Sequence, residues 1–450
     1  GAKVFNLCRS FRYQKLGYYV SLVAAARGQR PFPTPATIQD LKSKTIVNVV
    51  GSEIDEVIQK SLRPLQSDHF VLTAYFGRNI AERHTRLAQA IFRRFPAPLL
   101  RAEFGYHART KKWQLDSVEP LAPSDVPAEH REFLTDVAKE YFRRRHHVKI
   151  TRSVTAFDLA ILVDPDEPQP PSNPRAIEKF EDAAEALGFD VELIGKYDYG
   201  RLAEFDALVI RETTSVNHRT YRFAQKALAE GLMVVDDPES ILRCTNKVFL
   251  AELLYQHDVP MPRTMVVHRG NTLDALQRLG LPCILKQPDS SFSQGVTKAE
   301  TVEEFHVQVE RLLSRSDLVI AQEFAPTAFD WRIGVLDRQP IYACKYYMAG
   351  QHWQVVQPGG TGEEGPSEAV PLERVPRKLL RTACKAANLI GDGLYGVDVK
   401  EIVDGAYSVI EVNDNPSIDA GVEDELLGDE LYRVIMRVFR RRLEERSRAL

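Results

Sequence analysis

The clearest alternation of apolar and polar positions lies near the C-terminal end of the chain. Gly396-Val397-Asp398-Val399 leads to Asp404-Gly405 and then to Val409-Ile410-Glu411-Val412-Asn413. Asp-Gly between two β-rich runs predicts a hairpin, because a two-residue type I′ turn needs φ > 0 at both positions. With Val403 facing Ala406, the register sets Asp398 opposite Glu411 and Gly396 opposite Asn413. Val397 against Val412 and Val399 against Ile410 fill the other face as core. One face is therefore apolar, and the other sets two carboxylates beside an amide. Like charges directly opposite destabilise a sheet. A divalent cation reverses that sign, and oxygen ligands that leave room for water and phosphate suit Mg²⁺ at phosphoryl-transfer sites. An exposed polar face whose charges point apart gives the same pattern.

Elsewhere the periodicity predicts a short strand over 4–7, a helix over 18–26 that stops at Gly28, and amphipathic helices over 80–92 and 127–144. The last of these ends in Arg143-Arg144-Arg145-His146-His147, a basic cluster that reads as a solvated cap. From Phe157 the order changes to strand 157–163, helix 175–187, strands 190–194 and 207–210, helix 220–229 and strand 233–235. That alternation predicts a small parallel α/β unit. A helix follows from Lys247, a strand over 283–286, a polar loop over 289–295, a helix over 302–313 and a strand over 318–324. A hairpin of 331–336 with 341–347, a flexible stretch over 359–365, a helix over 376–389 and a basic helix over 424–446 complete the chain.

A length of 450 residues implies two to four domains, and 44% apolar residues suffice for their cores. A formal net charge of −3 gives no sign of nucleic-acid binding. The five cysteines lack CxxC spacing and read as free thiols in a reducing compartment. With no apolar run of membrane-spanning length and no leader read at the start, a cytoplasmic protein without a membrane partner is expected.

Several polar residues sit where phosphate chemistry needs them. Lys247 starts a helix, and Lys286 ends a strand before the loop containing Ser290, Ser291 and Gly295. An ammonium beside unblocked backbone amides makes a phosphate cradle, although each lysine alone also fits an ordinary surface position. Gln322-Glu323-Phe324 ends a strand and offers backbone groups to an adenine edge, or is a plain strand end. Asp330 and Arg332 are two apart on a predicted strand and share a face. The planar fork of arginine suits a transferring phosphoryl group, and a local ion pair is the alternative. Arg211 lies at the carboxyl end of a parallel strand, where ligands bind or where a salt bridge simply forms.

The order of these signals resembles the ATP-grasp superfamily, and most nearly its RimK-like carboxylate–amine ligases. The resemblance covers 157–450. It implies an α/β (α+β) architecture: a pre-ATP-grasp α/β domain (151–240), a lid subdomain (241–325) and a metal-binding C-terminal subdomain (326–450). The run Asn6-Leu7-Cys8-Arg9-Ser10 with Leu16-Gly17-Tyr18-Tyr19 resembles the extra α/β domain fused ahead of some such ligases, here 1–150. By resemblance, Lys247, Lys286, Ser290, Ser291 and Gly295 serve the phosphates. Gln322, Glu323 and Phe324 serve the adenine, and Asp330 lies near the ribose. Arg332 faces the γ-phosphate as the catalytic residue. Asp398, Glu411 and Asn413 hold Mg²⁺ or Mn²⁺. The implied reaction joins a small-molecule or peptide carboxylate to an amino acid such as glutamate at the cost of ATP, by way of an acyl-phosphate. Arg9, Arg12, Arg211 and Lys345 are candidates for gripping anionic substrates, and self-association is expected. The stretch from Lys345 to Trp353 departs from the family's arginine- and asparagine-bearing loop, so the target of the simplest RimK enzymes does not carry over. A ligase acting on a protein tail, a phosphotransferase and a nucleotide-regulated binding module remain as alternatives.

Overall fold

The computed structural model describes residues 3–8, 10–12, 15–107, 110–143, 157–289, 295–349, 365–403 and 405–449. Five sheets organise them. β1 (Lys3–Phe5) and β2 (Arg30–Phe32) form a short parallel pair. β3 (His69–Tyr75), β4 (Leu99–His107) and β5 (Lys112–Pro120) form an antiparallel meander. The pattern reading assigned nothing there, although Leu100, Ala102 and Phe104 alternate inward along β4 and are buried. The helices Lys44–Glu53, Asp55–Leu62 and Thr85–Arg94 contribute apolar faces to that core.

The α/β alternation after Phe157 forms as predicted. β6 (Phe157–Leu162), β7 (Phe189–Ile194), β8 (Ala207–Ile210) and β9 (Met233–Val235) lie parallel in the order β7-β6-β8-β9. β6 is apolar on both sides because both faces are covered, as parallel sheets require. Leu159 and Ile161 pack toward the C-terminal helix Asp429–Ala449, and Ala160 and Leu162 toward the helix Arg219–Ala229. The amino-terminal region joins this unit by charge. Arg30 bonds Asp158 (3.1 Å) and Asp206 (3.0 Å), while Arg93 and Arg94 stack on Tyr197 and Tyr199.

Two antiparallel sheets complete the fold. One has the order β10-β13-β11-β12, with β10 (Thr264–Val267), β11 (Cys283–Lys286), β12 (Val296–Ala299) and β13 (Val319–Glu323). The other has the order β16-β15-β14-β17-β18, with β14 (Phe329–Leu336), β15 (Gln339–Tyr347), β16 (Ser367–Ala369), β17 (Leu394–Val403) and β18 (Ala406–Asp414). The β14–β15 turn is tighter than its sequence suggests, since Asp337 and Arg338 alone make it, at φ 50° and 67°. Left-handed backbone is unfavourable for both residues. Arg441 and Arg442 hold the Asp337 carboxylate and help fix the turn.

The C-terminal hairpin corrects one expectation. Val403 faces Ala406 and Asp398 faces Glu411, but Val399 meets Val409 and not Ile410. One bulge falls between Asp398 and Val399, and a second between Glu401 and Val403. They offset each other, so the polar pairs keep the register that the turn implies. Asp404 lies outside the described residues, as do Arg144 to His147 and 359–364. The last helix starts at Asp429 and not at 424, because Gly428 at φ 54° breaks the backbone before it. Asp424 instead accepts from Lys179 (2.6 Å) and Tyr432 (3.2 Å).

Candidate active site

The five-stranded sheet has one apolar face and one ionic face. Trp331, Ile333, Val397 and Val412 point into the core beneath the helix Arg377–Ile390. Asp330, Arg332, Asp398, Glu411 and Asn413 alternate with them onto the other face. Cross-strand register then does the assembly. Arg332 sits beside Asp398, Asp398 beside Glu411, and Gly396 beside Asn413. A Cβ on Gly396 would lie 2.9 Å from Arg332 Cδ and 2.7 Å from Pro416 Cβ. Glycine is therefore needed for the arginine to lie across β17.

Each carboxylate on this face has a cation. Arg332 grips Asp398 with two parallel bonds, one from Nη2 at 3.0 Å. Glu411 takes Lys247 at 2.7 Å, and Asp330 takes Lys400 at 2.5 Å. Asn413 Nδ2 donates to Asp398 Oδ2 at 3.0 Å. Burial opposes charge on Glu411, but Lys247 and Lys286 outweigh it and hold its carboxyl below the usual range. Burial pushes the Asp398 carboxyl up against the pull of Arg332.

Lys247 comes from a helix whose Leu250 and Leu254 pack into the core of the five-stranded sheet. It is the first residue of the helix Lys247–Gln256, whose N-cap Asn246 accepts from Val248 and Phe249. Lys286 ends β11 and donates to Gln322 Oε1 at 3.0 Å, and Gln322 in turn donates to Thr264 at 2.8 Å. Burial lowers the Lys286 ammonium to about 8. Lys247 and Lys400 push the same way, and Glu411 and Asp330 oppose them. Gly295 adopts φ 75° where the chain enters β12, and its carbonyl accepts from Gln287 N–H at 3.1 Å. Ser290 and Ser291 lie outside the described residues.

Other expected site residues are placed differently. Glu323 and Phe324 already donate their backbone amides, to Arg263 O and Pro282 O. Those two amides are thus spent inside the chain, and the Glu323 carboxylate is held by Arg263 at 2.6 Å. Arg211 is buried, and its donors go to Ser172 Oγ, Asn415 Oδ1, Pro171 O and Pro416 O. It clamps the parallel sheet to the end of β18 with four of its five N–H donors and is buried there, not open to a ligand, which corrects the expectation. Lys345 pairs with Trp331 on the face opposite Arg332, beside the Phe329 and Trp331 rings and Glu368. Strand alternation turns it away from this site, a second correction. Arg12 is exposed, and Arg9 lies outside the described residues. Lys400 went unnoticed in the sequence, although its two-residue spacing from Asp398 was the available signal.

The donor set fits a divalent cation. Two carboxylates and an amide lie on one face of adjacent strands, and Mg²⁺ commonly takes one or two protein carboxylates and completes its shell with water and phosphate. Among the described residues no group of three or more His, Cys, Asp or Glu side chains forms a cage, so phosphate oxygens would be needed to finish such a shell.

Known proteins resemble the chain in sequence and in fold. Residues 1–137 match the family described as the RimK-like ATPgrasp N-terminal domain. The α-aminoadipate–LysW ligase LysX of Saccharolobus solfataricus is 28% identical over 194 residues, covering 41% of this chain and 67% of that protein. A probable α-L-glutamate ligase of Teredinibacter turnerae is 26% identical over 265 residues, covering 54% of this chain and 85% of its own. The chain thus carries a RimK-like ATP-grasp N-terminal domain and, beyond it, is similar to ATP-grasp ligases. Solved structures show the same fold. D-cycloserine synthetase DcsG superposes with a TM-score of 0.51 at 18% identity, covering 63% of this chain and 99% of its own. The D-alanine–D-alanine ligase of Bacillus anthracis, complexed with ATP, superposes at 0.50 and 14% identity, covering 65% and 100%. Among the described residues, no helix is long and apolar enough to cross a membrane.

Proposed function

We propose that the chain is an ATP-dependent carboxylate–amine ligase that works through an acyl-phosphate, with an amino acid such as glutamate as the amine. The relatives named as α-aminoadipate and α-L-glutamate ligases support the substrate class. The observation that carries the reading is one ionic cluster: Arg332 on Asp398, Lys247 on Glu411, Asn413 bonded to Asp398, and the Lys286 charge acting on Glu411. In this reading 241–325 is the lid and 326–450 the metal-bearing subdomain. Residues 1–150 form an accessory domain.

A carboxylate is a poor electrophile because its leaving group would be oxide or hydroxide. Its oxygen attacks the γ-phosphorus of ATP, the bond to the β,γ-bridging oxygen breaks, and ADP leaves. The amine then adds to the acyl carbon, phosphate departs with the electron pair of the acyl–oxygen bond, and the ammonium loses a proton. Lys247 and Lys286 hold the phosphates, and Arg332 faces the transferred group with its planar fork. Glu411, Asp398 and Asn413 would hold a divalent cation, Mg²⁺ or Mn²⁺, which supplies charge neutralisation at the phosphate oxygens. The ion pairs explain how the face stays compact with so many charges. Cations released from carboxylates are ready for phosphates, so catalysis rests on positioning and preorganised charge.

A coupled ADP-release screen of amino acids against small carboxylates, with mass spectrometry of the products, tests the reading. An amide with one ADP and one phosphate per turnover is expected. A phosphorylated hydroxyl product in place of an amide would assign the site to phosphotransfer.

A further inference from the structure

Arg332 is held from two directions. Asp398 takes its guanidinium in a two-bond grip, and the ring of Tyr346 lies beneath it, 5.4 Å from ring centre to Cζ. Tyr346 is on β15, on the same side of the sheet as Arg332 and next to Asp330 by register. Its hydroxyl donates to Glu423 Oε1, and Glu423 is only 3% exposed. The other carboxylate oxygen of Glu423 accepts from Asp419 N–H at 2.7 Å. Asp419 accepts from Asn173 N–H at 2.5 Å, and Ser172 donates to Ile418 O at 2.7 Å. A continuous set of bonds therefore runs from the loop after β6, through the turn before the last helix, to the arginine.

The two holds on Arg332 are not equivalent. Asp398 is also one of the residues assigned to a divalent cation, so its carboxylate is shared. The Tyr346 ring makes no such second commitment. A buried charge-assisted bond on its hydroxyl fixes the ring against rotation and tilt. Tyr346 lies on an inner strand, packed against the core beside the last helix, and its hydroxyl is tied to a buried glutamate.

We propose that Tyr346 and Glu423 are positioning residues for Arg332. The tyrosine ring seats the guanidinium, and the glutamate, anchored through Asp419, sets the angle of the ring. The inference rests on the assignment of Arg332 to the γ-phosphate. Loss of the hydroxyl lets the ring and the arginine drift, and a drift of about 1 Å can cost on the order of a hundredfold where geometry decides an interaction. A ground-state contact is less demanding, so a loss of about tenfold is expected.

The test is calorimetric binding of Mg-AMPPNP and of MgADP to the full chain, for wild type, Tyr346→Phe, Glu423→Gln and Arg332→Ala. The ratio of the two affinities reads the γ-phosphate contact alone and is insensitive to general loosening of the fold. Tyr346→Phe is expected to lower Mg-AMPPNP affinity about tenfold and to leave MgADP within about twofold. Glu423→Gln keeps an acceptor for the hydroxyl and removes the charge, so a smaller shift in the same direction is expected. An unchanged ratio in both Tyr346→Phe and Glu423→Gln, with a lowered ratio in Arg332→Ala, overturns the positioning role and leaves the arginine's role standing. An unchanged ratio in Arg332→Ala overturns both.

Discussion

Lys286 offers a quantitative test of the cleft. It is buried, its ammonium donates to a neutral amide, and burial lowers it to about 8. Phosphates placed against it would restore the charged form, so nucleotide binding should take up a proton wherever the free protein has lost one. If the bound lysine stays charged throughout, affinity follows the charged fraction of the free protein. Raising the pH from about 7.5 to about 9 then weakens Mg-AMPPNP about eightfold, or ~1.2 kcal/mol. Calorimetric titration across that range measures it, and repeating it in two buffers of different ionisation enthalpy gives the proton uptake directly. Lys286→Met should bind more weakly and lose the pH slope. Stability moves the other way. The unfolded lysine, near its ordinary value, binds more protons than the folded one between about 8 and 10.4, so this group adds stability as pH rises through that window. A flat affinity in the wild type, or the same slope in Lys286→Met, would refute the placement of this ammonium at the phosphates.

Glu411→Gln and Asp398→Asn are expected to keep the fold, by circular dichroism, and to abolish ADP release in any substrate mixture; unchanged turnover in both removes them from the metal site. Gly396→Ala brings a methyl against Arg332 Cδ and Pro416 Cβ, so ADP release should fall at least tenfold with a stability cost of about 1–3 kcal/mol, read by denaturant titration. Arg211→Leu strands Asn415 and two buried carbonyls and should cost about 3–5 kcal/mol of unfolding free energy; a loss below 1 kcal/mol would show that the clamp is idle. Arg30→Ala removes the ion pairs to Asp158 and Asp206, and limited proteolysis should release the amino-terminal domain faster than in the wild type.

Local chemistry determined much of this protein from its sequence. The alternation around Asp404-Gly405 placed Asp398 opposite Glu411 because strand pairing has a period of two and the turn sets its phase. The parallel unit after Phe157 was legible for a similar reason, since short apolar strands and amphipathic helices carry their own punctuation. The meander β3–β5 is less legible, because an extra residue on β5, Asp116, shifts the phase of its inward positions from Leu115 to Val118. Only the tertiary structure decided which charges meet. Lys247 and Glu411 are far apart in sequence, and the packing of the helix Lys247–Gln256 into the core of the five-stranded sheet brings them to 2.7 Å. Arg211 and Lys345 looked equally fit to grip a substrate. Burial between two units committed the first, and the facing of one strand turned the second away. Periodicity fixes the face a side chain occupies within its own element, whereas the partner across a cleft depends on how separate elements pack, and no local pattern encodes that.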